Sequence, residues 1–219
     1  MATFTALIYS ALATAVASLD LHELVKNPSL SRYQDPSRFI WNDSDVYLLR
    51  ASVPADTARN ITHTPCVRSR YWSNTTEKVE RSLDVYNKTN FSSTNISLTV
   101  EKHDTKTILN VDPKEQSISL KNSLDITIGI SLEKYNRTFL VLFSDANCLI
   151  LADTLKTEKI KRPWLRCSMW LTKNRIEKPP KCCQFIFELL CAYKVDTLEF
   201  FNKSCLNQHQ ESPDRAKSL

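Results

Sequence analysis

The sequence is almost without glycine, because Gly129 is the only glycine among 219 residues. Loops that bind the phosphates of nucleotides need several glycines at fixed spacing, so folds that depend on such loops are excluded. Turns must instead be formed by Asn, Asp, Ser and Pro. The chain also lacks a nucleophile elbow, a paired-carboxylate motif and a histidine pair with metal-ligand spacing. These absences predict that the protein is not an enzyme and needs no cofactor or metal.

Strong charge of one sign and long apolar runs are missing as well. The net charge is +5, but basic and acidic residues are interspersed and only Lys156 to Arg166 is locally basic. No stripe of base-stacking aromatic residues accompanies that charge, so we expect no nucleic-acid partner. No segment after residue 17 approaches transmembrane length, so we expect no membrane partner. With 42% hydrophobic residues, the 219-residue chain can form one core in one domain.

The N-terminus has the features of a secretory signal. Phe4 to Ala17 is apolar and too short to cross a bilayer, and Ala15-Val16-Ala17 supplies small residues that signal peptidase accepts. We expect a signal peptide over residues 1–17, one domain over 18–205, a disordered polar tail over 206–219 and a secreted, extracellular protein. No lysine or arginine precedes the apolar stretch, and a buried N-terminal helix is the alternative.

Cysteines and glycosylation sequons agree with export. Seven cysteines in an oxidising compartment predict three disulfides and one unpaired thiol. A zinc site is disfavoured because the four histidines are dispersed and no Cys-X2-Cys pair faces another. The predicted glycosylation sites are the Asn-X-Ser/Thr asparagines Asn42, Asn60, Asn74, Asn87, Asn90, Asn95, Asn136 and Asn202. Those from Asn74 to Asn95 flank predicted hairpin loops and should be exposed.

The clearest structural signal lies between Thr138 and Ala152. Two short apolar runs flank Ser144-Asp145-Ala146-Asn147, a cluster of small and polar residues that suits a hairpin turn. Each run is apolar at every position, which is typical of strands covered on both faces. Similar strand-like runs occur at about residues 45–53, 64–72, 78–86, 95–102, 117–132, 138–144, 148–153 and 164–171. This spacing predicts an all-β barrel or sandwich.

Short helices are predicted on either side of the strands. Residues 19–26 form one apolar helical face, a helical turn is predicted at 36–40 after Asp35 as N-cap, and a helix is predicted at 182–193. Eight or nine strands between an N-terminal and a C-terminal helix predict an eight-stranded antiparallel up-and-down barrel of the lipocalin type.

An ordered set of short motifs resembles the tick salivary lipocalins, the histamine-binding protein family. The motifs are Tyr33-Gln34-Asp35, Val46 to Ser52, Pro65-Cys66-Val67, Phe143 to Cys148 and Lys203 to Leu206. The resemblance covers about residues 24–205. It implies a secreted barrel that sequesters small host mediators, such as histamine or an apolar lipid, and suppresses host defence and inflammation. The alternative is a filled barrel that binds a host protein, such as a complement component, through its loops.

The resemblance also implies a disulfide pattern. Cys66 would join Cys205, and Cys167 would join Cys191. Cys148 would join the start of the C-terminal helix, where spacing alone does not decide between Cys182 and Cys183. Cys183 is preferred because Phe187 then takes the place of an aromatic residue of the family.

Several positions depart from the amine-binding members of the family. The resemblance places Leu149 and Ser168 where those members carry acidic residues, Phe139 where they carry an aspartate, and Val53 where they carry a tyrosine. A protonated amine in a cavity needs a carboxylate partner, because a desolvated and unpaired cation is costly. We therefore expect weak histamine binding.

Two carboxylates and four apolar residues remain as candidate ligand-binding residues. The carboxylates are those of Asp56 and Glu101, although a solvated charge on a loop or strand is the simpler interpretation for each. The apolar candidates are Phe139, Val141, Phe143 and Trp170, which either line a cavity or fill the barrel. Strand parity places Phe139, Val141 and Phe143 on one face.

We predict that peptide mapping under non-reducing conditions finds three intramolecular disulfides, including Cys66 with Cys205, and an unpaired sulfur at Cys182 or Cys183. The protein is expected to be a monomer, although the odd cysteine could link two chains, which non-reducing electrophoresis would reveal. A bond between Cys66 and Cys148 would contradict the predicted closure of the barrel.

Overall fold

The computed structural model describes residues 31–53, 63–87, 90–104, 106–114, 137–153, 166–192 and 195–207. The predicted signal peptide, the helix predicted at 19–26, the strand region predicted at 117–132 and the tail from residue 208 lie outside the described residues. No helix in the described ranges is long and apolar enough to cross a membrane.

The described elements are three short helices and ten strands. The helices are α1 (Ser37–Ile40), α2 (Lys181–Leu190) and α3 (Ser204–Asn207). The strands are β1 (Val46–Val53), β2 (Cys66–Ser69), β3 (Tyr71–Asn74), β4 (Val79–Asn87), β5 (Asn90–His103), β6 (Lys106–Pro113), β7 (Arg137–Ser144), β8 (Cys148–Asp153), β9 (Cys167–Thr172) and β10 (Asp196–Glu199).

The strands form a closed antiparallel barrel. Neighbours along the chain pair in order from β4 to β9, and β9 pairs back with β1. Both β2 and β3 pair with β4, so they act as one barrel strand interrupted at Arg70. This gives the eight antiparallel strands of the predicted lipocalin barrel, and the fold prediction is confirmed.

The short strand β10 was not predicted, and it completes the wall beside β1. Direct pairing between β1 and β2 involves only Val46 and Tyr47 on β1. Further along, the same strand pairs with β10 from Arg50 to Val53. The C-terminal segment that carries β10 is joined to β2 by the disulfide between Cys66 and Cys205.

Two apolar clusters lie on opposite sides of the barrel wall. The inner cluster contains Phe39, Ile40, Val46, Leu48, Ala51, Val67, Val79, Leu83, Val85, Ile96, Leu98, Leu109, Phe139, Val141, Leu149, Leu151, Trp170 and Phe200. The outer cluster packs α2 against β1 and β7 to β9, and it includes Tyr47, Leu140, Leu142, Ile150, Met169, Leu171, Phe187 and Leu190. Because this part of the wall is covered on both faces, its strands are apolar at every position, as the sequence pattern indicated.

Two further disulfides hold α2 on the barrel. Cys148 is bonded to Cys183, and Cys167 to Cys191. With Cys66–Cys205, these are the three pairs that the family resemblance implied. Cys182 is free and exposed.

The outer face of β2 to β5 is polar. Its centre is Asp84, whose side chain is 0% exposed and accepts hydrogen bonds from Arg68, Arg70 and Ser93. A carboxylate can be buried in this way because two guanidinium groups and a hydroxyl satisfy it.

Most of the described sequon asparagines are on the surface. Asn74, Asn87, Asn95 and Asn202 are exposed. Asn42 is half-buried, with its amide nitrogen donating to the Ala146 carbonyl at 3.4 Å. Asn60, Asn136 and the Asn90 side chain lie outside the described residues. Glycosylation at all eight asparagines stays a prediction.

We predict that Phe187→Ala lowers the free energy of unfolding by about 3–5 kcal/mol, because it removes a large side chain from the interface of α2 with the barrel. Phe187 is 0% exposed, whereas Phe185 on the same helix is 66% exposed. Phe185→Ala is therefore the control and should change stability by less than about 0.5 kcal/mol. Urea unfolding of the oxidised proteins measures both, and equal effects would contradict the described packing of α2.

Candidate functional site

One end of the barrel is closed by the segment that precedes β1. The α1 turn begins after Asp35, whose Oδ1 accepts hydrogen bonds from the backbone N–H and the hydroxyl of Ser37 at 3.0 and 2.6 Å. The other carboxylate oxygen of Asp35 contacts Lys102 Nζ at 2.6 Å. The turn directs Phe39 and Ile40 into the inner cluster, so they form the floor of the barrel.

Hydrogen bonds of Arg81 connect this floor to the barrel wall. The Arg81 side chain points inward from β4, on the same face as the apolar Val79 and Leu83, and is 2% exposed. The guanidinium donates to the carbonyls of Ile40 and Asn42 at 3.1 and 2.8 Å. It also donates to the Ser44 carbonyl at 2.8 Å, and to the hydroxyl and carbonyl of Ser69 at 3.1 and 3.2 Å. All of these acceptors are uncharged.

A cavity of about 80 Å³ lies above the floor. It is lined by Phe39, Ile40, Val46, Ser69, Arg81, Leu83, Ile96, Leu98, Leu109, Val111, Pro113, Arg137, Phe139, Leu149, Leu151, Ser168 and Trp170. The wall is almost entirely apolar and, among the described residues, contains no carboxylate. It extends from the floor towards the opposite end of the barrel, which we call the mouth. The chain segments 54–62, 115–136 and 154–165 lie outside the described residues.

The structure places the four predicted apolar candidates on two different faces of the barrel wall. Phe139 and Trp170 line the cavity, and Val141 belongs to the inner cluster beside it. Phe143 instead belongs to the outer cluster, where it stacks on Tyr33 with ring centroids 6.0 Å apart. The parity prediction was wrong for Phe143 because an irregularity in the pairing of β7 with β8 occurs between Val141 and Phe143. Such a bulge adds one residue and reverses the alternation of faces.

The predicted carboxylates do not reach the cavity in the described residues. Glu101 is on the outside of β5 with a side chain 58% exposed, and it accepts a hydrogen bond from Asn110 at 2.7 Å. Its neighbour Val100 packs against the inner cluster, so strand alternation turns Glu101 to solvent. The prediction of Glu101 as a ligand-binding residue is therefore corrected, and Asp56 lies outside the described residues.

Three of the four positions that depart from the amine-binding pattern, Phe139 among them, line the cavity. Leu149 and Ser168 both line it, and the Ser168 hydroxyl accepts a hydrogen bond from Trp170 Nε1 at 3.0 Å. Val53 is buried but does not line the cavity. The three places where the resemblance predicts acidic groups in amine-binding members, Leu149, Ser168 and Phe139, are thus neutral surfaces of the cavity.

Charged groups at the mouth were not predicted from the sequence. Arg137 lines the cavity there. On the neighbouring strand, burial raises the pKa of Asp153, while the positive charges of Arg137 and Arg166 oppose that rise. Arg137, like Arg81, occupies an inward position of a strand with apolar neighbours two residues away, and that alternation was the available signal.

The described residues hold no cluster of three or more His, Cys, Asp or Glu side chains that could bind a metal ion.

Solved structures that are similar to this chain include two ligand complexes. Japanin from Rhipicephalus appendiculatus, solved bound to cholesterol, is similar, with 19% identity over 75% of this chain and 96% of that chain and a TM-score of 0.49. The AM182 serotonin complex is also similar, with 14% identity over 77% of this chain and 90% of that chain and a TM-score of 0.45. The comparison with curated proteins gives no match.

The family model described as tick histamine binding protein matches residues 24–207. The match spans most of the sequence and includes all ten described strands and the last described helix. The chain therefore belongs to the tick histamine-binding protein family.

Proposed function

We propose that this protein sequesters a small apolar ligand, or the apolar part of an amphipathic host mediator, inside its barrel, and so suppresses host defence. The observation that carries the proposal is the cavity above Phe39 and Ile40, which has an apolar wall without a carboxylate among the described residues. The three disulfides support a secreted, extracellular location. The role is binding, without a chemical reaction.

The composition of the wall favours apolar ligands over amines. Each Å² of apolar ligand surface removed from water contributes about 25 cal/mol, so burying about 150 Å² contributes about 4 kcal/mol. A protonated amine would lose its hydration and gain no ion pair with the described lining residues in return. Histamine itself, as the ligand that names the family, should therefore bind weakly here.

The size of the cavity favours a second candidate function. A volume of about 80 Å³ is smaller than the pockets that enclose most drug-sized ligands. A barrel largely filled by its own side chains would instead bind a host protein, such as a complement component, through its surface. An apolar ligand in this barrel must extend from the floor towards the mouth, and the experiment below distinguishes the two functions.

We predict that protein purified from an animal-cell host retains or binds a lipid and binds histamine weakly. Native mass spectrometry detects a retained ligand, and calorimetry with histamine and with a fatty acid, side by side, measures both affinities. The fatty acid should bind at least tenfold more tightly. Submicromolar histamine binding would contradict the proposal, and binding of neither ligand would favour the host-protein function.

We also predict that Ser168→Glu raises the affinity for histamine at pH 7 by about tenfold or more, because it supplies a carboxylate inside the cavity. Ser168→Gln is the matched control, since it has a similar size and no charge. Calorimetry with the two variants measures the difference. Equal affinities would show that amines do not enter the described cavity.

A further inference from the structure

Three arginines on adjacent strands have different electrostatic surroundings. On the outer face, Arg68 and Arg70 are both bonded to the Asp84 carboxylate, at 2.9 and 2.7 Å. On the inner face, Arg81 is bonded only to carbonyl groups and one hydroxyl. The outer arginines are neutralised by a direct ion pair, whereas the inner arginine is hydrogen-bonded without being neutralised.

Arg81 remains charged at neutral pH. Burial lowers its pKa to about 10, and the carboxylates of Asp45 and Asp43 favour the protonated form. Both aspartates belong to the loop between α1 and β1. The side chain of Asp45 is directed to Arg68 on the outer face, with the two groups 3.3 Å apart. Neither aspartate lines the cavity, whereas Arg81 does, so its positive charge lies behind the apolar surface of the cavity without a carboxylate between them among the described residues.

We propose that Arg81 sets the charge selectivity of the barrel, by opposing protonated amines and favouring ligands whose group nearest the floor is neutral or anionic. This inference rests on the proposed function, because it concerns ligands in the same cavity. A second positive charge about 6 Å from a guanidinium, at an effective dielectric constant of about 20, is disfavoured by roughly a hundredfold in affinity. An anionic group at the same distance is favoured.

The selectivity can be separated from the structural role of Arg81. Replacing the arginine would also remove the hydrogen bonds that hold Ile40, Asn42 and Ser44. Ser69 offers a gentler change, because its hydroxyl accepts from Arg81 Nε at 3.1 Å and also lines the cavity. Ser69→Asp would place a carboxylate on the guanidinium and neutralise it in place. Ser69→Asn has nearly the same size and no charge, so it is the matched control.

The experiment measures the binding of octylamine, 1-octanol and octanoate to the full chain at pH 7 by calorimetry. The three probes share an eight-carbon chain and differ in the charge of the head group. For the unmodified protein, octanol and octanoate should bind at least tenfold more tightly than octylamine. Ser69→Asp should reduce the octanoate-to-octylamine affinity ratio by at least tenfold, and Ser69→Asn should leave it within about threefold.

Four further variants make the result decisive. Arg81→Gln removes the charge and should also reduce the ratio, whereas Arg81→Lys keeps the charge and should preserve it, even if both lower the melting temperature. Because Ser69 itself lines the cavity, Ser168→Asp is the position control, at a cavity-lining serine that is bonded to Trp170 and not to Arg81. If Arg81→Gln does not fold, a larger reduction of the ratio in Ser69→Asp than in Ser168→Asp supports the assignment to Arg81, and an equal reduction overturns it. Arg137→Gln tests the mouth, and a loss of selectivity in that variant alone would overturn the assignment to Arg81.

The outcomes also separate this inference from the proposed function. If none of the three probes binds the unmodified protein, the proposed function fails. If octanol binds and the octanoate-to-octylamine ratio is the same in Ser69→Asp and Ser69→Asn, the proposed function stands and the role of Arg81 is overturned.

Discussion

Closure of the wall between β1 and β2 is the constraint on which the rest of the structure depends. The two strands pair directly at only two positions of β1, and β10 occupies the remainder of that edge. The disulfide between Cys66 and Cys205 fixes the closing segment across a sequence separation of 139 residues. On the chain-entropy model, a loop of this length corresponds to about 5 kcal/mol of stabilisation. The same segment places Phe200 in the inner cluster, so closing the wall also completes the core.

The outer face of the wall has two different regions, and each is shielded from water in a different way. On the side of β7 to β9, α2 covers an apolar surface and two disulfides hold it there. On the side of β2 to β5, a buried Asp84 and the arginines around it replace an apolar cover. The first surface is stabilised chiefly by apolar burial and the second by charge-assisted hydrogen bonds. Both leave the inner face free to surround a cavity.

The sequence predicted the barrel well because its signals were local and repeated. Apolar runs, turn residues and the motif order identified seven of the described strand regions and α2 within a few residues. Phe139 and Trp170, for which the sequence left lining a cavity and filling the barrel open, line the cavity. Strand β6 was missed although Thr107, Leu109 and Val111 alternate with other residues along it. The other failures came from effects that no local pattern encodes. A bulge in β7 moved Phe143 to the outer face, and β10 forms only because a distant strand leaves part of an edge unpaired.

Charge was the least predictable part of the site. Glu101 was a reasonable candidate by composition, but its position in β5 turns it to solvent. Arg81 was overlooked because an arginine in a strand is usually exposed. Its burial depends on carbonyl groups from the loop before β1, about forty residues earlier in the chain. Such a tertiary arrangement cannot be derived from the spacing within one strand.

The position of β1 between β9 and β10 has a consequence for the order of folding. The first strand of the barrel finds most of its partners among the last forty residues of the described chain. During synthesis β1 must therefore remain unpaired along most of its length until the C-terminal segment is available. Contacts between distant parts of a chain are reached slowly, on the scale of milliseconds to seconds for β-barrels. The interval exposes an apolar strand to misassociation, and forming the bond between Cys66 and Cys205 ends it.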